Sequence, residues 1–109
     1  MQTQTARVSV SMGGNDMLCS IHGDIDHHNA RVIRMQIDDE LYKQRPRKLT
    51  LDLSRVEFMD SSGIGLLMGR YKLIRALGGM VRISHAGERI RKILMLSGIH
   101  KIIQIERES

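Results

Sequence analysis

From Ala6 to Met12 the sequence ARVSVSM alternates apolar and polar residues, the period of a half-buried strand. GGND (Gly13–Asp16) is a turn signal, and MLCSI (Met17–Ile21) reads as a second strand, so the two are expected to form a hairpin. The period then changes. Between His28 and Gln44, Ala30, Ile33, Ile37 and Leu41 recur at helical spacing with charges between them, and Pro46 closes the segment. KLTLDLS (Lys48–Ser54) alternates again, with Leu49, Leu51 and Leu53 on one face. A helix is predicted over Ser62–Leu77, ending at Gly78-Gly79. MVRIS (Met80–Ser84) is a strand, GERIRKILMLSG (Gly87–Gly98) a short helix with Gly98 in the stop position, and KIIQIE (Lys101–Glu106) the last strand.

The predicted order is β-β-α-β-α-β-α-β. After the hairpin, strands alternate with helices, which implies right-handed crossovers and mostly parallel pairing. The hairpin leaves the sheet mixed. The fold class is therefore α/β, a mixed, mostly parallel β-sheet with helices packed mainly on one face, because three helices hardly cover two. The length of 109 residues fits a single domain over residues 1–109.

The second helix has two unlike faces. On a wheel of about 100° per residue, Ile64, Leu67, Tyr71 and Ile74 share a stripe, with Leu66, Leu73, Leu77 and Arg70 beside it. That arc is expected to face the sheet. The opposite arc holds Gly65, Met68, Gly69, Lys72, Arg75 and Ala76. Each mid-helix glycine costs about 1 kcal/mol relative to alanine, and two stand here one turn apart around a methionine. A smooth surface with a soft apolar knob suits close approach by another backbone or helix. A neighbouring helix of the same chain packing there is the alternative.

Charge and composition narrow the function. The formal net charge is +5 and the pI about 9.9. With one Phe, two Tyr and no Trp, the chain lacks the rings that stacking proteins use on single-stranded nucleic acid. No direct nucleic-acid partner is expected; an acidic protein surface is the better complement. One cysteine, Cys19, makes no internal bridge and points to a reducing compartment, and in a strand it reads as a small buried hydrophobe. No signal peptide pattern opens the chain, and no apolar run approaches the roughly 20 residues of a membrane span. The expectation is a cytoplasmic protein with no membrane partner.

The richest stretch for chemistry is FMDSSGIGLLMGRYK (Phe58–Lys72), where two serines stand between an aspartate and a glycine before an apolar run. The nucleophile elbow G-x-S-x-G fails, because Met59 and Asp60 occupy the positions where glycine is required. No triad partner is evident, so no catalytic residue is assigned. The glycine-rich helix start attracts anions but lacks the Gly-Lys-Ser/Thr of a P-loop. GDIDHH (Gly23–His28) offers Asp24, Asp26, His27 and His28, but adjacent histidines do not easily share a metal; a polar loop with an aspartate capping the next helix is expected, with no metal and no cofactor. Phosphoacceptance fits better. A phosphate on a serine at this turn would meet free helical N–H groups and add about −1.5 to −2 charges beside Asp60. The alternative is that Ser61 or Ser62 is only a helix cap, and residue chemistry alone puts that reading first.

GDIDHHNA (Gly23–Ala30), FMDSSGIGLLMGRYK (Phe58–Lys72), ALGG (Ala76–Gly79) and MLSGIHKII (Met95–Ile103), in this order and spacing, resemble the anti-sigma F factor antagonists of spore-forming bacteria, within the STAS-domain family. The likeness spans nearly the whole chain, and the family's element order is the one read above. The resemblance implies a non-enzymatic partner switch: an anti-anti-sigma factor that binds an anti-sigma factor serine kinase, ADP- or ATP-bound, and frees a sporulation sigma factor. It implies phosphorylation of the serine after the aspartate, Ser61, which inactivates the antagonist, and a serine phosphatase that reverses it. Ser62 is the neighbour that opens the helix. Asp24, His27 and His28 are expected to join Asp60, Ser62 and Gly63 at the partner surface, with Gly65, Met68, Gly69 and Lys72 along the helix. The alternatives are a STAS switch in general stress control, or a small nucleotide-binding protein. Family members carry a further helix after the last strand; here the chain ends at Glu106–Ser109, and that helix is expected to be absent or very short.

Overall fold

The computed structural model describes residues 6–106. The expected lack of a further C-terminal helix concerns residues 107–109, outside the described residues, as do residues 1–5 of the segment read as lacking a signal peptide. Strand β1 (Arg7–Gly13) and strand β2 (Asp16–His22) form the expected hairpin, with Gly14-Asn15 as its loop and Gly13 opposite Asp16. Helix α1 (Ala30–Gln44), strand β3 (Lys48–Arg55), helix α2 (Ser61–Ala76), strand β4 (Met80–Ser84), helix α3 (Glu88–Ser97) and strand β5 (Gln104–Ile105) follow. The five strands lie in sequence order; β1–β2 is antiparallel and the other pairs are parallel. The mixed sheet and the element order agree with the sequence reading.

A sheet that grows in one direction by crossovers of one hand receives its helices on one face. Burial shows which. Met17, Cys19, Ile21, Leu49, Leu51, Leu53 and Ile83 are fully buried. Their alternates form the uncovered face, where polar groups bridge the strands. Ser20 Oγ donates to Asp52 Oδ2 at 3.0 Å, Arg82 Nε donates to Thr50 Oγ1 at 3.0 Å, and Arg82 pairs with Glu106 at 3.0 Å.

Local chemistry sets the helix limits. Arg45 precedes Pro46, which disfavours the helical region, and it takes a left-handed conformation (φ 46°) while its N–H still reaches Leu41 O at 2.9 Å. Gly98 ends α3 at φ 82°, a value glycine adopts without strain. The last strand is shorter than expected. Ile99–Lys101 form a 3-10 turn, with the N–H of Ile102 on Ile99 O, so pairing with β4 is confined to Gln104 and Ile105. The apolar run KII reads as strand by composition, yet Ile99 and Ile103 are buried on a turn.

The face of α2 is the one the wheel gave. The buried residues are Gly63, Leu66, Leu67, Arg70 and Ile74, and all but Gly63 lie on the expected arc. Ile64 and Tyr71, at one margin of that arc, are only half-buried. Two contacts complete it: Gly63 packs closely against the preceding loop, and Arg70 pairs with Asp38 of α1.

Candidate functional site

The loops Gly23–Asn29 and Val56–Asp60 leave β2 and β3 at the same sheet edge. In parallel sheets this carboxyl edge is where functional residues gather. A parallel bridge joins Ile25 to Met59. The N–H of Ile25 donates to Phe58 O at 3.0 Å, and that of Asp60 to Ile25 O at 3.3 Å. The structure thus brings the aspartate-histidine loop beside the serine turn, 30 or more residues later in the chain.

The first loop is self-tied. Asp26 Oδ1 accepts from the N–H of His28 at 3.0 Å and of Asn29 at 2.9 Å, and Asn29 Nδ2 donates to Asp24 O at 3.1 Å. Asp26 thus ties the turn that precedes α1; the helix itself has Asn29 at its N-cap with no side-chain capping bond, so the expected aspartate cap is not found. His27 and His28 are left exposed, ring edge to ring face at 5.8 Å between centroids. Among the described residues, no group of three or more His, Cys, Asp or Glu side chains is placed to hold a metal.

At the second loop the cap is Asp60, which corrects the reading of a serine cap. Its backbone is extended and its Oδ1 accepts from the N–H of Ser62 at 2.8 Å. Helix α2 therefore opens at Ser61, not Ser62. An aspartate ahead of two serines wins because its carboxylate reaches the second helical N–H with a full charge at the positive helix end. Ser61 is left exposed at the first helical position, with no role in capping.

Along α2, Gly65 and Lys72 are exposed and Gly69 half-buried. A Cβ placed on Gly65 or Gly69 would meet nothing within 4 Å, so no packing within the chain explains either glycine. Two expected surface residues differ. Gly63 is buried, and a Cβ there would run into Met59 and come within 3.1 Å of Ile25 O, so it closes the junction of the two loops. Met68 is half-buried and packs on the core, rather than standing free. Phe58, 46% exposed beside the serine turn, is a site neighbour that the sequence reading did not single out. Its signal was a lone aromatic residue falling outside any strand alternation.

A groove of about 360 Å³ separates α1 from α2. Gly65 and Gly69 form one wall, His27, Arg31 and Arg34 the other, and Arg70 lines it as well. Arg70 is 6% exposed. Its Nη1 pairs with Asp38 Oδ1, and its Nε has no partner. Burial lowers its pKa, Asp38 opposes that shift, and nearby Arg34 adds to it. The wheel gave the Gly65 and Gly69 wall of this groove but no hint of its arginine wall or of the Arg70–Asp38 pair, whose members lie 32 residues apart.

Comparison with known proteins agrees with this frame. A curated anti-sigma F factor antagonist of Paenibacillus polymyxa is 35% identical over 82% of this chain and 76% of its own. An anti-sigma-B factor antagonist of Bacillus subtilis (strain 168) is 29% identical over 94% and 92%. The structure of the Bacillus cell fate determinant SpoIIAA in its phosphorylated form superposes with a TM-score of 0.68 at 25% identity, covering 94% of this chain and 93% of that one. The STAS domain model matches residues 7–109, and the chain belongs to the STAS domain family.

Proposed function

We propose that this protein is an anti-sigma factor antagonist that works by partner switching. Its unphosphorylated form binds an anti-sigma factor serine kinase and so frees a sigma factor; phosphorylation of Ser61 ends the complex, and a serine phosphatase restores it. The observation that carries this reading is the division of labour at the start of α2. Asp60 caps the helix, Ser61 is exposed beside it, and the neighbouring helix surface is bare at Gly65 and Gly69 with no internal reason to be so.

Phosphate at the first helical position lies at the positive end of the helix dipole, so the fold tolerates it. The same phosphate would sit at the end of the surface formed by Asp24, His27, His28, Ser62, Gly65, Met68, Gly69 and Lys72, where it would repel a partner fitted to the uncharged hydroxyl. The greater identity to the anti-sigma F factor antagonist favours a sporulation sigma factor over a stress one. The relatives compared are named as antagonists, not enzymes, and no helix among the described residues is long and apolar enough to cross a membrane.

The test is to incubate the protein with the candidate kinase and ATP and to locate the phosphate by mass spectrometry. Modification confined to Ser61, with loss of the complex, is the expected result. Phosphate elsewhere, or none, sinks the proposal. Tight nucleotide binding by the isolated protein would favour a nucleotide-binding role instead.

A further inference from the structure

The groove between α1 and α2 carries more positive charge than the fold needs. Arg31 and Arg34 are exposed on its α1 wall, and neither makes an ion pair among the described residues. Arg70 lies at the buried side with one carboxylate, Asp38, on Nη1, and its Nε is left without a partner. A buried N–H donor without a partner is uncommon and calls for an explanation. The starts of both helices lie at this end, at Ala30 and Ser61, and their dipoles add to the positive potential. No acidic residue lines the groove.

We propose that this groove is an anion subsite that takes an aspartate or glutamate side chain of the docking protein. Three features select that occupant. The charge is complementary to a carboxylate, and a guanidinium presents N–H donors in the geometry a carboxylate accepts. Gly65 and Gly69 leave their side of the groove bare, so the backbone carrying the acid can approach closely. The groove is also continuous with the proposed docking surface, sharing His27, Gly65 and Gly69 with it. The inference rests on the docking reading and deepens it: the serine turn supplies the switch, and the arginine groove supplies affinity and register.

The test uses the full chain labelled with ¹⁵N and titrated, at constant ionic strength, with a glutamate peptide and with inorganic phosphate in separate arms. The peptide is expected to shift the Nε–Hε signal of Arg70 and the amides of Gly65 and Gly69 saturably. Arg31→Gln with Arg34→Gln should weaken that binding by about ten-fold, the usual weight of one charge-assisted contact. Arg89→Gln with Lys92→Gln on α3 removes the same charge elsewhere and should leave it within about two-fold. Absence of a saturable shift overturns the proposal, as does an equal loss in both double variants. Binding of phosphate without binding of the peptide also overturns it and assigns the groove to a small phosphorylated ligand. The peptide arm needs no partner protein, so failure of the kinase complex and failure of the groove are read separately.

Discussion

The carboxylate of Asp60 holds the backbone N–H of Ser62 at 2.8 Å, and Ser61, the residue between them, makes no capping bond. The cap and the candidate acceptor are thus different residues, and they separate by mutation. Asp60→Ala is expected to lower stability by about 1 kcal/mol, with a fall in Tm of roughly 4–8 °C. Ser61→Ala should change stability by less than about 0.5 kcal/mol. Thermal unfolding followed by circular dichroism checks both, and a larger loss from Ser61→Ala would return the capping role to the serine.

The glycines of α2 should behave in opposite ways. A Cβ on Gly63 runs into Met59 and crowds Ile25 O at 3.1 Å, so Gly63→Ala is expected to destabilise by about 1–3 kcal/mol. Gly65 faces open space, so Gly65→Ala should stabilise by about 0.5–1 kcal/mol through helix propensity. Urea denaturation of the two variants measures the contrast. Gly65→Leu should keep the fold yet weaken partner binding; unfolding instead would show that the bare surface is core packing.

This contrast also marks where the sequence was legible. Period-2 alternation placed β1 to β4, and the apolar spacing of Ile33, Ile37 and Leu41 placed the buried face of α1, because such patterns are local. The broad apolar arc of α2 was legible for the same reason, but two of its details are not local. Gly63 is drawn in by a loop that Ile25 reaches from another strand, and Arg70 is held by Asp38, 32 residues away. A glycine scores as a surface residue on any wheel. The serine motif was visible in the sequence, but its neighbours Arg31 and Arg34 were not, since only the pairing of the two loops brings the starts of α1 and α2 to one edge.

Cys19 gives the chain a defined alkaline response. Burial, aided by Glu40, pushes the thiol up to about 12 from its ordinary 9.0. The folded chain keeps that proton where the unfolded chain loses it. Above about pH 9 the unfolded state therefore binds fewer protons, and stability falls as pH rises toward the folded value. Comparing denaturation from about pH 8 to about pH 10, the wild type should lose more stability than Cys19→Ala, whose curve lacks this contribution. In the folded protein the thiol should not react with a disulfide reagent until denaturant is added.

The Arg70–Asp38 pair should be easier to delete whole than to break. Asp38→Ala leaves a buried guanidinium without its carboxylate, and a loss of about 1–3 kcal/mol is expected, less than for a sealed pair because the Asp38 side chain is 25% exposed. Arg70→Met with Asp38→Leu replaces both by apolar groups of similar bulk and should come within about 1 kcal/mol of wild type. Chemical denaturation of the three proteins tests this; a double variant less stable than Asp38→Ala would show that the pair itself stabilises the fold.

If phosphate at Ser61 acts by charge and bulk at an exposed position, a carboxylate there should reproduce part of its effect. Ser61→Asp is expected to weaken binding to the ADP-bound anti-sigma kinase by about ten-fold or more, with its Tm unchanged within about 2 °C. Ser61→Ala should bind within a few-fold of wild type and take up no phosphate. Added salt discriminates the cause, because repulsion between exposed charges is screened within about 10 Å at 0.1 M ionic strength. Calorimetric titrations at low and high salt should therefore show the deficit of Ser61→Asp shrinking as salt rises. A deficit unchanged by salt would assign the switch to bulk at the turn, and equal affinities for Ser61→Asp and wild type would remove Ser61 from the docking surface.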